Sequence, residues 1–168
     1  RISGSKFELS SMDARNIVLR RQQDFRFTTD CKMRIPELKD GQNAGVTGFY
    51  DENTFFKFGI FKNDGEIVIK AVEHIGDEDI THDSETMPVL SGNEFIYFRM
   101  VTDYLSRDLY VSYDGIDYVK FITLDNVYYL CDEGLKKGKR FTGAMVGMYA
   151  FAGEAPLIAE FDYFNYQA

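Results

Sequence analysis

Alternation of apolar and polar side chains with a period of two is the feature of this sequence that most constrains its fold. Between Phe25 and Ile35 every second residue is Phe, Thr, Cys, Met or Ile, and the residues between them are Arg, Thr, Asp or Lys. Successive side chains of a β-strand point to opposite faces, so one face of this segment is mostly apolar and the other is polar. The pattern predicts a half-buried strand of an antiparallel sheet.

Similar runs recur along the chain and are separated by turn signals. They lie at Asn16–Arg21, Ala44–Tyr50, Thr54–Lys62, Glu66–Val72, Phe95–Thr102, Leu109–Tyr113, Tyr118–Ile122, Gly143–Phe151 and Ile158–Tyr166. Asn63-Asp64-Gly65 and Asp114-Gly115 suit the positive φ angles of tight hairpins. The sequence thus predicts about ten strands in an all-β fold, a two-sheet antiparallel β-sandwich of the jelly-roll kind. Only Asp125–Cys131 is expected to form a helical turn, and the polar segment Gly76–Ser91 is expected to be a surface loop.

Size and composition favour a single domain over residues 1–168 that needs neither a metal nor a disulfide for its stability. Of the 168 residues 45% are hydrophobic, and 15 Phe with 11 Tyr supply bulk for a core. The two cysteines, Cys31 and Cys131, are expected to be free thiols. A net charge of -8 argues against nucleic acid and anionic membranes as partners. No apolar run approaches the roughly 20 residues that a membrane helix requires.

Acidic residues are concentrated in the polar segment, where they could serve hydrolysis or a metal. The cluster consists of Asp77, Glu78, Asp79, Asp83 and Glu85. Glycoside hydrolysis needs two carboxyl groups that face each other across a cleft, and a small hydrolase built around Asp79 is the least favoured interpretation. A calcium loop requires Gly and a bidentate Glu where this chain has His82 and Pro88. Structural calcium is therefore not indicated, and no cofactor is expected.

Aromatic rings can offer flat platforms to sugar rings. The candidates for such stacking are Tyr50, Phe55, Tyr128 and Tyr149. Trp, the usual platform residue, is absent from the chain. Because large aromatic side chains also dominate the cores of β-sandwiches, most of these rings are expected to be core residues.

A set of short motifs spans nearly the whole chain in a fixed order. It begins with Leu9-Ser10-Ser11, Leu19-Arg20-Arg21-Gln22-Gln23 and Tyr50-Asp51-Glu52-Asn53, and continues with Tyr113-Asp114-Gly115, Leu130-Cys131-Asp132-Glu133, Phe141-Thr142-Gly143-Ala144-Met145-Val146-Gly147 and Ala159-Glu160-Phe161-Asp162-Tyr163-Phe164-Asn165-Tyr166. This ordered set resembles the C-terminal, concanavalin A-like β-sandwich of family 43 glycoside hydrolases, the β-xylosidase and arabinofuranosidase group. Cys131 stands where that family usually has Ser, which removes one hydroxyl without affecting the fold.

The resemblance implies that the chain is an accessory module and not an enzyme by itself. In such proteins an N-terminal five-bladed propeller carries the catalytic acids, and the sandwich packs on it and lends an aromatic ring to the sugar pocket. The Phe-Thr-Gly motif assigns that role to Phe141, and the partners are then the propeller and an oligosaccharide. The start at Arg1, without an initiator Met, agrees with a piece cut from a longer protein. Localisation would be that of the parent protein, cytoplasmic for an exo-enzyme that processes oligosaccharides.

The alternative interpretation is an independent carbohydrate-binding module for xylan or a related plant polysaccharide. The two interpretations make different predictions. An accessory module requires an exposed apolar patch of roughly several hundred Å2 where a propeller packs, and it should not hydrolyse nitrophenyl xylosides or arabinofuranosides. An independent module should bind xylo-oligosaccharides through exposed Tyr side chains.

Overall fold

The fold was analysed in a computed structural model that describes residues 1–89, 92–138 and 141–168, with the backbone but not the side chains of residues 83–88. Its strands are β1 Ile2–Ser3, β2 Ile17–Arg21, β3 Arg26–Arg34, β4 Asn43–Asp51, β5 Thr54–Asn63, β6 Glu66–Ile75, β7 Glu78–Pro88, β8 Phe95–Asp103, β9 Ser106–Ser112, β10 Val119–Leu124, β11 Met145–Phe151 and β12 Ile158–Gln167. Two short 3-10 turns, Tyr128–Leu130 and Asp132–Gly134, follow β10. No helix among the described residues has the length and apolarity needed to cross a membrane.

The strands form two antiparallel six-stranded sheets, which confirms the predicted all-β sandwich. In hydrogen-bonded order the first sheet is β1-β12-β3-β8-β9-β10 and the second sheet is β2-β11-β4-β5-β6-β7. The sheets contribute their inner faces to one core, in which the ring of Phe58 on β5 meets the ring of Phe98 on β8 edge to face at 5.1 Å. Burying each such ring contributes roughly 1.5–3 kcal/mol.

The strand predicted from alternation is confirmed over β3, but Phe25, which the pattern places on the buried face, lies before the strand and is 72% exposed. On β3 the side chains of Phe27, Thr29, Cys31 and Met33 are buried, and the intervening residues face outward. Neither cysteine of the chain is in a disulfide, as the sequence predicts. Burial raises the pKa of the Cys31 thiol to about 12, so this residue serves as core packing.

The predicted surface loop Gly76–Ser91 is wrong for most of its length, because Glu78–Pro88 form strand β7 at the edge of the second sheet. An edge strand needs a partner on only one side and tolerates charged side chains, so apolar alternation need not show in its sequence. His74 on β6 pairs with Asp79 at 2.6 Å, and His82 pairs with Glu73 at 2.8 Å. Of the acidic cluster, the side chains of Asp83 and Glu85 lie outside the described residues, as do Leu90 and Ser91 entirely.

The helical turn predicted within Asp125–Cys131 is confirmed as the 3-10 turn Tyr128–Leu130. The N-terminal β1 is a further element of only two residues, too short to carry a periodic signal, and it pairs with β12. The described residues between β10 and β11, 125–138 and 141–144, contain both 3-10 turns.

Candidate functional site

One end of the sandwich combines irregular backbone with exposed apolar side chains. The register brings this end together: Arg26 at the start of β3 pairs with Asp103 at the end of β8, and Met145 at the start of β11 pairs with Arg21 and Phe49. Five exposed large apolar side chains belong to the segments at this end: Phe25, Tyr104, Leu105, Tyr128 and Phe141. We call residues 141–143 the strap and this end the strap end.

Phe141 is the most exposed large apolar residue of the described chain, with 91% of its surface open to solvent. Its backbone adopts φ of +76°, in the left-handed region. That conformation costs an ordinary L-residue about 1–2 kcal/mol because Cβ approaches the following carbonyl. A large ring is thus held outward by a backbone conformation that does not favour it, and other contacts must hold it there.

Asp132 and Tyr50 supply those contacts. The Phe141 N–H donates to the Asp132 carboxylate, at 3.3 Å from Oδ1 and 3.2 Å from Oδ2, and the Tyr50 hydroxyl donates to the same carboxylate. The Thr142 N–H donates to the Tyr50 hydroxyl oxygen at 3.4 Å, and the Thr142 hydroxyl donates to the Tyr50 carbonyl at 3.3 Å. Tyr50 is only 1% exposed, so the hydroxyl that donates to the partly buried Asp132 side chain is held in place by the core.

Two arginines stabilise the rest of the strap end. The guanidinium of Arg21 donates to the carbonyl of Thr142. Arg107, which is 3% exposed, donates to the carbonyls of Tyr104 at 2.7 Å and Ser106 at 2.9 Å and to the Gln22 side chain at 3.2 Å. Burial lowers the pKa of the Arg107 guanidinium to about 10, which still leaves it charged at neutral pH. This buried cation ties the β8–β9 turn to the β2–β3 connection.

A cavity of about 320 Å3 lies beside the strap. It is lined by the β2–β3 connection, by β4, by the junction of the two 3-10 turns and by the residues just before β11. The lining residues are Gln22, Gln23, Asp24, Phe25, Tyr50, Leu130, Cys131, Asp132, Gly143 and Ala144. Burial raises the pKa of the half-buried Cys131 thiol, so this thiol is mostly protonated at neutral pH.

The aromatic residues named from the sequence fall into two groups. Tyr50, Tyr128 and Phe141 all belong to the strap end, but Tyr50 is buried and holds the strap, so only the rings of Tyr128 and Phe141 are open. Phe55 and Tyr149 lie on the outer face of the second sheet, and they are 3% and 0% exposed. Neither of these two rings presents a face to a ligand in this structure.

The N-terminal segment covers the outer face of the second sheet. Leu9, itself 1% exposed, packs on Phe55 and Tyr149. Both carboxylate oxygens of Glu8 accept hydrogen bonds from the Lys57 ammonium group, at 3.1 and 3.0 Å. Lys57 is 7% exposed, and the pair gives this buried cation the partner it requires. The N-terminal segment therefore buries Phe55 and Tyr149, although both point outward from the second sheet.

Catalytic and metal-binding candidates do not converge in the described part of the chain. Asp77, Glu78 and Asp79 are exposed at the β6–β7 turn, where Lys137 pairs with Asp77 at 3.0 Å. The described residues contain no group of three or more His, Cys, Asp or Glu side chains that could hold a metal ion.

Sequence reasoning from spacing missed the residues that hold Phe141. Arg21 lies 121 residues before Thr142 in the sequence, and nothing in the local pattern shows that these two residues and Asp132 meet. All three fall within motifs that carry the family resemblance, and Asp132 and Thr142 belong to Leu-Cys-Asp-Glu and Phe-Thr-Gly. These motifs are brought together here by the bond between the Asp132 carboxylate and the Phe141 N–H.

Comparison with known proteins gives consistent results. The family model of the β-xylosidase C-terminal concanavalin A-like domain matches residues 1–167. A putative β-xylosidase of Escherichia coli K12 is 26% identical over 164 residues, which are 95% of this chain and 30% of the relative. The chain therefore spans about a third of the length of the curated relative it matches.

Solved structures show the same fold and the same partial coverage. The family 43 glycoside hydrolase BlXynB from Bacillus licheniformis superimposes with a TM-score of 0.85 at 25% identity, over 99% of this chain and 32% of that protein. The xylan β-1,4-xylosidase of Bacillus halodurans C-125 superimposes with a TM-score of 0.83 at 22% identity, over 98% of this chain and 32% of that protein. The motifs, the β-sandwich and the family match all indicate the same family. The chain belongs to the C-terminal concanavalin A-like accessory domains of family 43 β-xylosidase-like glycoside hydrolases.

Proposed function

We propose that the strap end of this domain packs against the catalytic propeller of a longer glycosidase and that Phe141 helps to close the sugar pocket of that enzyme. The observation that carries the proposal is the combination of exposure and fixation at Phe141: the ring is 91% exposed, while its backbone N–H is bound to Asp132. A solvent-exposed Phe gains nothing from the hydrophobic effect until a partner covers it. A domain that fixes such a ring in a strained conformation is preorganised to bind a partner surface, because less side-chain entropy is lost on binding.

The surroundings of Phe141 favour a protein partner. Phe25 stacks on Tyr104 at 5.6 Å, and both rings are more than half exposed, at 72% and 54%. Exposed aromatic clusters beside a cavity are typical of interaction surfaces. The partial coverage of the relatives by this chain, about a third of their length, agrees with a partner domain on the same polypeptide.

Within the assembled enzyme the role of Phe141 would be to shape the pocket and exclude water. An apolar ring carries no proton for acid–base chemistry, but it can close an exo-acting pocket around one sugar residue and lower the dielectric constant there. The two acids that glycoside hydrolysis requires would belong to the propeller. The substrate class is a xylose- or arabinose-containing oligosaccharide, which the protein contacts through the pocket of the parent enzyme.

Steady-state kinetics of the parent enzyme test the proposal. With nitrophenyl xyloside and arabinofuranoside, Phe141→Ala should lower kcat/KM by about tenfold or more, while the thermal stability of the sandwich is unchanged. Ile116→Ala is the matched control, because Ile116 is 80% exposed in the β9–β10 turn at the opposite end of the sandwich. The isolated chain should release no nitrophenol. Wild-type kinetics for Phe141→Ala, or hydrolysis by the isolated chain, would contradict the proposal.

A further inference from the structure

The first sheet ends at an edge that β1 covers only in part. β1 has two residues, whereas its neighbour β12 has ten. Ile2 pairs with Ala159 and Ser3 pairs with Ile158, and no other described strand lies on this side of β12. Residues 161–167 therefore have a partner strand on one side only, along about 23 Å at 3.3 Å per residue.

The hydrogen bonds of β3 show which backbone groups of β12 face the open edge. In an antiparallel sheet the N–H and C=O groups of successive residues point alternately to the two neighbouring strands. The Ile35 N–H donates to the Glu94 carbonyl at 2.9 Å, and the Tyr104 N–H donates to the Phe25 carbonyl at 2.7 Å. Both bonds continue the register of β3 with β8. The odd-numbered residues of β3 therefore bond to β8, and the even-numbered residues bond to β12.

The register of β12 with β3 then assigns the free groups. The even-numbered residues 28, 30 and 32 of β3 pair with Gln167, Asn165 and Tyr163. The backbone groups of these three residues point to β3, so those of Phe164 and Tyr166 point to the open edge. Backbone groups that are left without a partner at a sheet edge are a template for another strand.

The open part of β12 lacks most of the features that keep exposed edges from pairing, which are short length, proline and charge. The other edge strands have them: β2 has five residues, two of which are arginines, β7 contains Pro88, and β10 has six residues and carries Lys120. Between residues 161 and 167 only Asp162 is charged. It lies at a shift of register, after which residues 163–167 pair regularly with β3.

The position of β1 identifies the partner strand. Since β1 pairs with β12, polypeptide that precedes Arg1 in a parent protein would leave from this edge, where Arg1 Nε lies 2.9 Å from Glu160 Oε1. The matched domain is C-terminal, and this chain spans about a third of the relatives' length. The other end of β12 lies at the strap end, because the Tyr166 hydroxyl accepts hydrogen bonds from the N–H groups of Gln23 and Asp24, both at 3.2 Å. β12 thus joins the surface proposed for the propeller to the start of this chain.

We propose that polypeptide preceding Arg1 in the parent protein supplies a strand that pairs with β12 through the backbone groups of Phe164 and Tyr166. Main-chain hydrogen bonds would give this addition its affinity, as in other cases in which an extended segment is added to a sheet edge. The added strand would tie the sandwich to the segment that comes from the propeller and would limit the rotation of Phe141 relative to the sugar pocket. The inference rests on the proposed function for the preceding propeller and not for the role of Phe141.

Hydrogen exchange of the 168-residue chain and of the parent protein tests this inference, with single residues resolved by mass spectrometry after electron-transfer fragmentation. The Phe164 and Tyr166 amides should exchange rapidly in the 168-residue chain and about a hundredfold or more slowly in the parent. Asn165 is the internal reference, because its N–H points to β3 and should be protected in both proteins.

Two substitutions in the parent separate strand pairing from simple coverage by the propeller. Phe164→Pro and Phe164→Ala both remove the ring, but only Phe164→Pro removes the N–H that faces the open edge, a position at which a sheet tolerates proline. In the parent Phe164→Pro should return the exchange of Tyr166 to within about tenfold of the rate in the 168-residue chain, whereas Phe164→Ala should keep it slow.

Three results would overturn the inference. Rapid exchange of Phe164 and Tyr166 in the parent would show that the edge stays open, and equal protection of Tyr166 in the two variants would show coverage without pairing. Protection in the 168-residue chain that rises with protein concentration would show that a second copy occupies the edge. Phe141→Ala in the parent should leave the exchange of β12 unchanged, so failure of this inference and failure of the proposed function are distinguishable.

Discussion

In both the covered outer face of the second sheet and the strap end, a carboxylate holds an irregular segment. The first segment buries an apolar side chain, whereas the second exposes one. In both regions an irregular segment is held by a carboxylate that meets a buried side chain, Glu8 with Lys57 in one and Asp132 with Tyr50 in the other. The N-terminal segment turns the apolar side chain of Leu9 inward, whereas the strap turns that of Phe141 outward. The first arrangement stabilises the sandwich. The second leaves an apolar ring in water, which supports the proposed role of the strap end as a binding surface.

The largest effect on stability is expected beneath the N-terminal segment. Leu9→Ala should lower the free energy of unfolding by about 2–5 kcal/mol, because it opens a cavity over Phe55 and Tyr149. Chemical denaturation followed by fluorescence measures the change. Met12→Ala in the same segment is the control: Met12 is 73% exposed, and its loss should stay within about 0.5 kcal/mol. Equal effects of the two substitutions would show that the segment does not cover this face in solution.

A smaller effect is expected from the hydroxyl that holds the strap. Tyr50→Phe removes the donor to Asp132 and the acceptor for the Thr142 N–H, and it should lower the free energy of unfolding by about 1–2 kcal/mol. Hydrogen exchange at the Phe141 and Thr142 amides should accelerate in this variant.

Tyr149→Phe provides a matched control from the other region. The Tyr149 hydroxyl is buried and has no hydrogen-bond partner among the described residues, so its removal should leave stability unchanged or increase it. If both variants lost the same stability, the hydrogen bonds assigned to Tyr50 would not be what holds the strap.

The positions and buried faces of the strands could be predicted from the sequence more fully than the N-terminal cover or the strap end. The alternation on β3 identifies its buried face, because the period of a strand is a local property. The same reasoning misses β7, since an edge strand with polar residues such as Asp79 and His82 at its pairing positions looks like a loop. The burial of Phe55 and Tyr149 depends on Leu9, about 50 and 140 residues away in the sequence, and no local pattern reports that contact.

The candidate site was predictable only through the ordered motifs. They identify Phe141 as a residue of interest, but its backbone is fixed by a hydrogen bond between two motifs, which the Phe141 N–H donates to Asp132. Side-chain direction at a left-handed residue depends on such tertiary contacts and not on propensity.

At Phe141 itself the expected effect on stability is small and of opposite sign. Phe141→Gly should leave the free energy of unfolding unchanged or raise it by up to about 1 kcal/mol, because glycine adopts positive φ without strain. Thermal denaturation of the isolated chain measures this. A loss comparable to that of Leu9→Ala would mean that the ring packs on the sandwich, contrary to its open position.

The smallest effect concerns the two thiols, one in the core and one in the cavity of the strap end. Because burial raises both pKa values, labelling with iodoacetamide should be slow at pH 8 and should accelerate as pH rises toward those values. Cys31, whose pKa is raised to about 12, is thiolate in only about one molecule in ten thousand at pH 8. Mass spectrometry should find Cys131 labelled before Cys31. The reverse order would contradict the assigned burial.

Hydroxyl-radical footprinting shows whether the parent protein covers the ring of Phe141, because it reports the solvent exposure of the side chain itself. The isolated 168-residue chain and the longer parent protein are compared, with Ile116, which is 80% exposed in the isolated chain, as the internal reference. The account predicts heavy oxidation of Phe141 in the isolated chain and strong protection in the parent, increased further by xylobiose. Equal oxidation of Phe141 in the two proteins would contradict the assignment of the strap end as the surface that completes the sugar pocket.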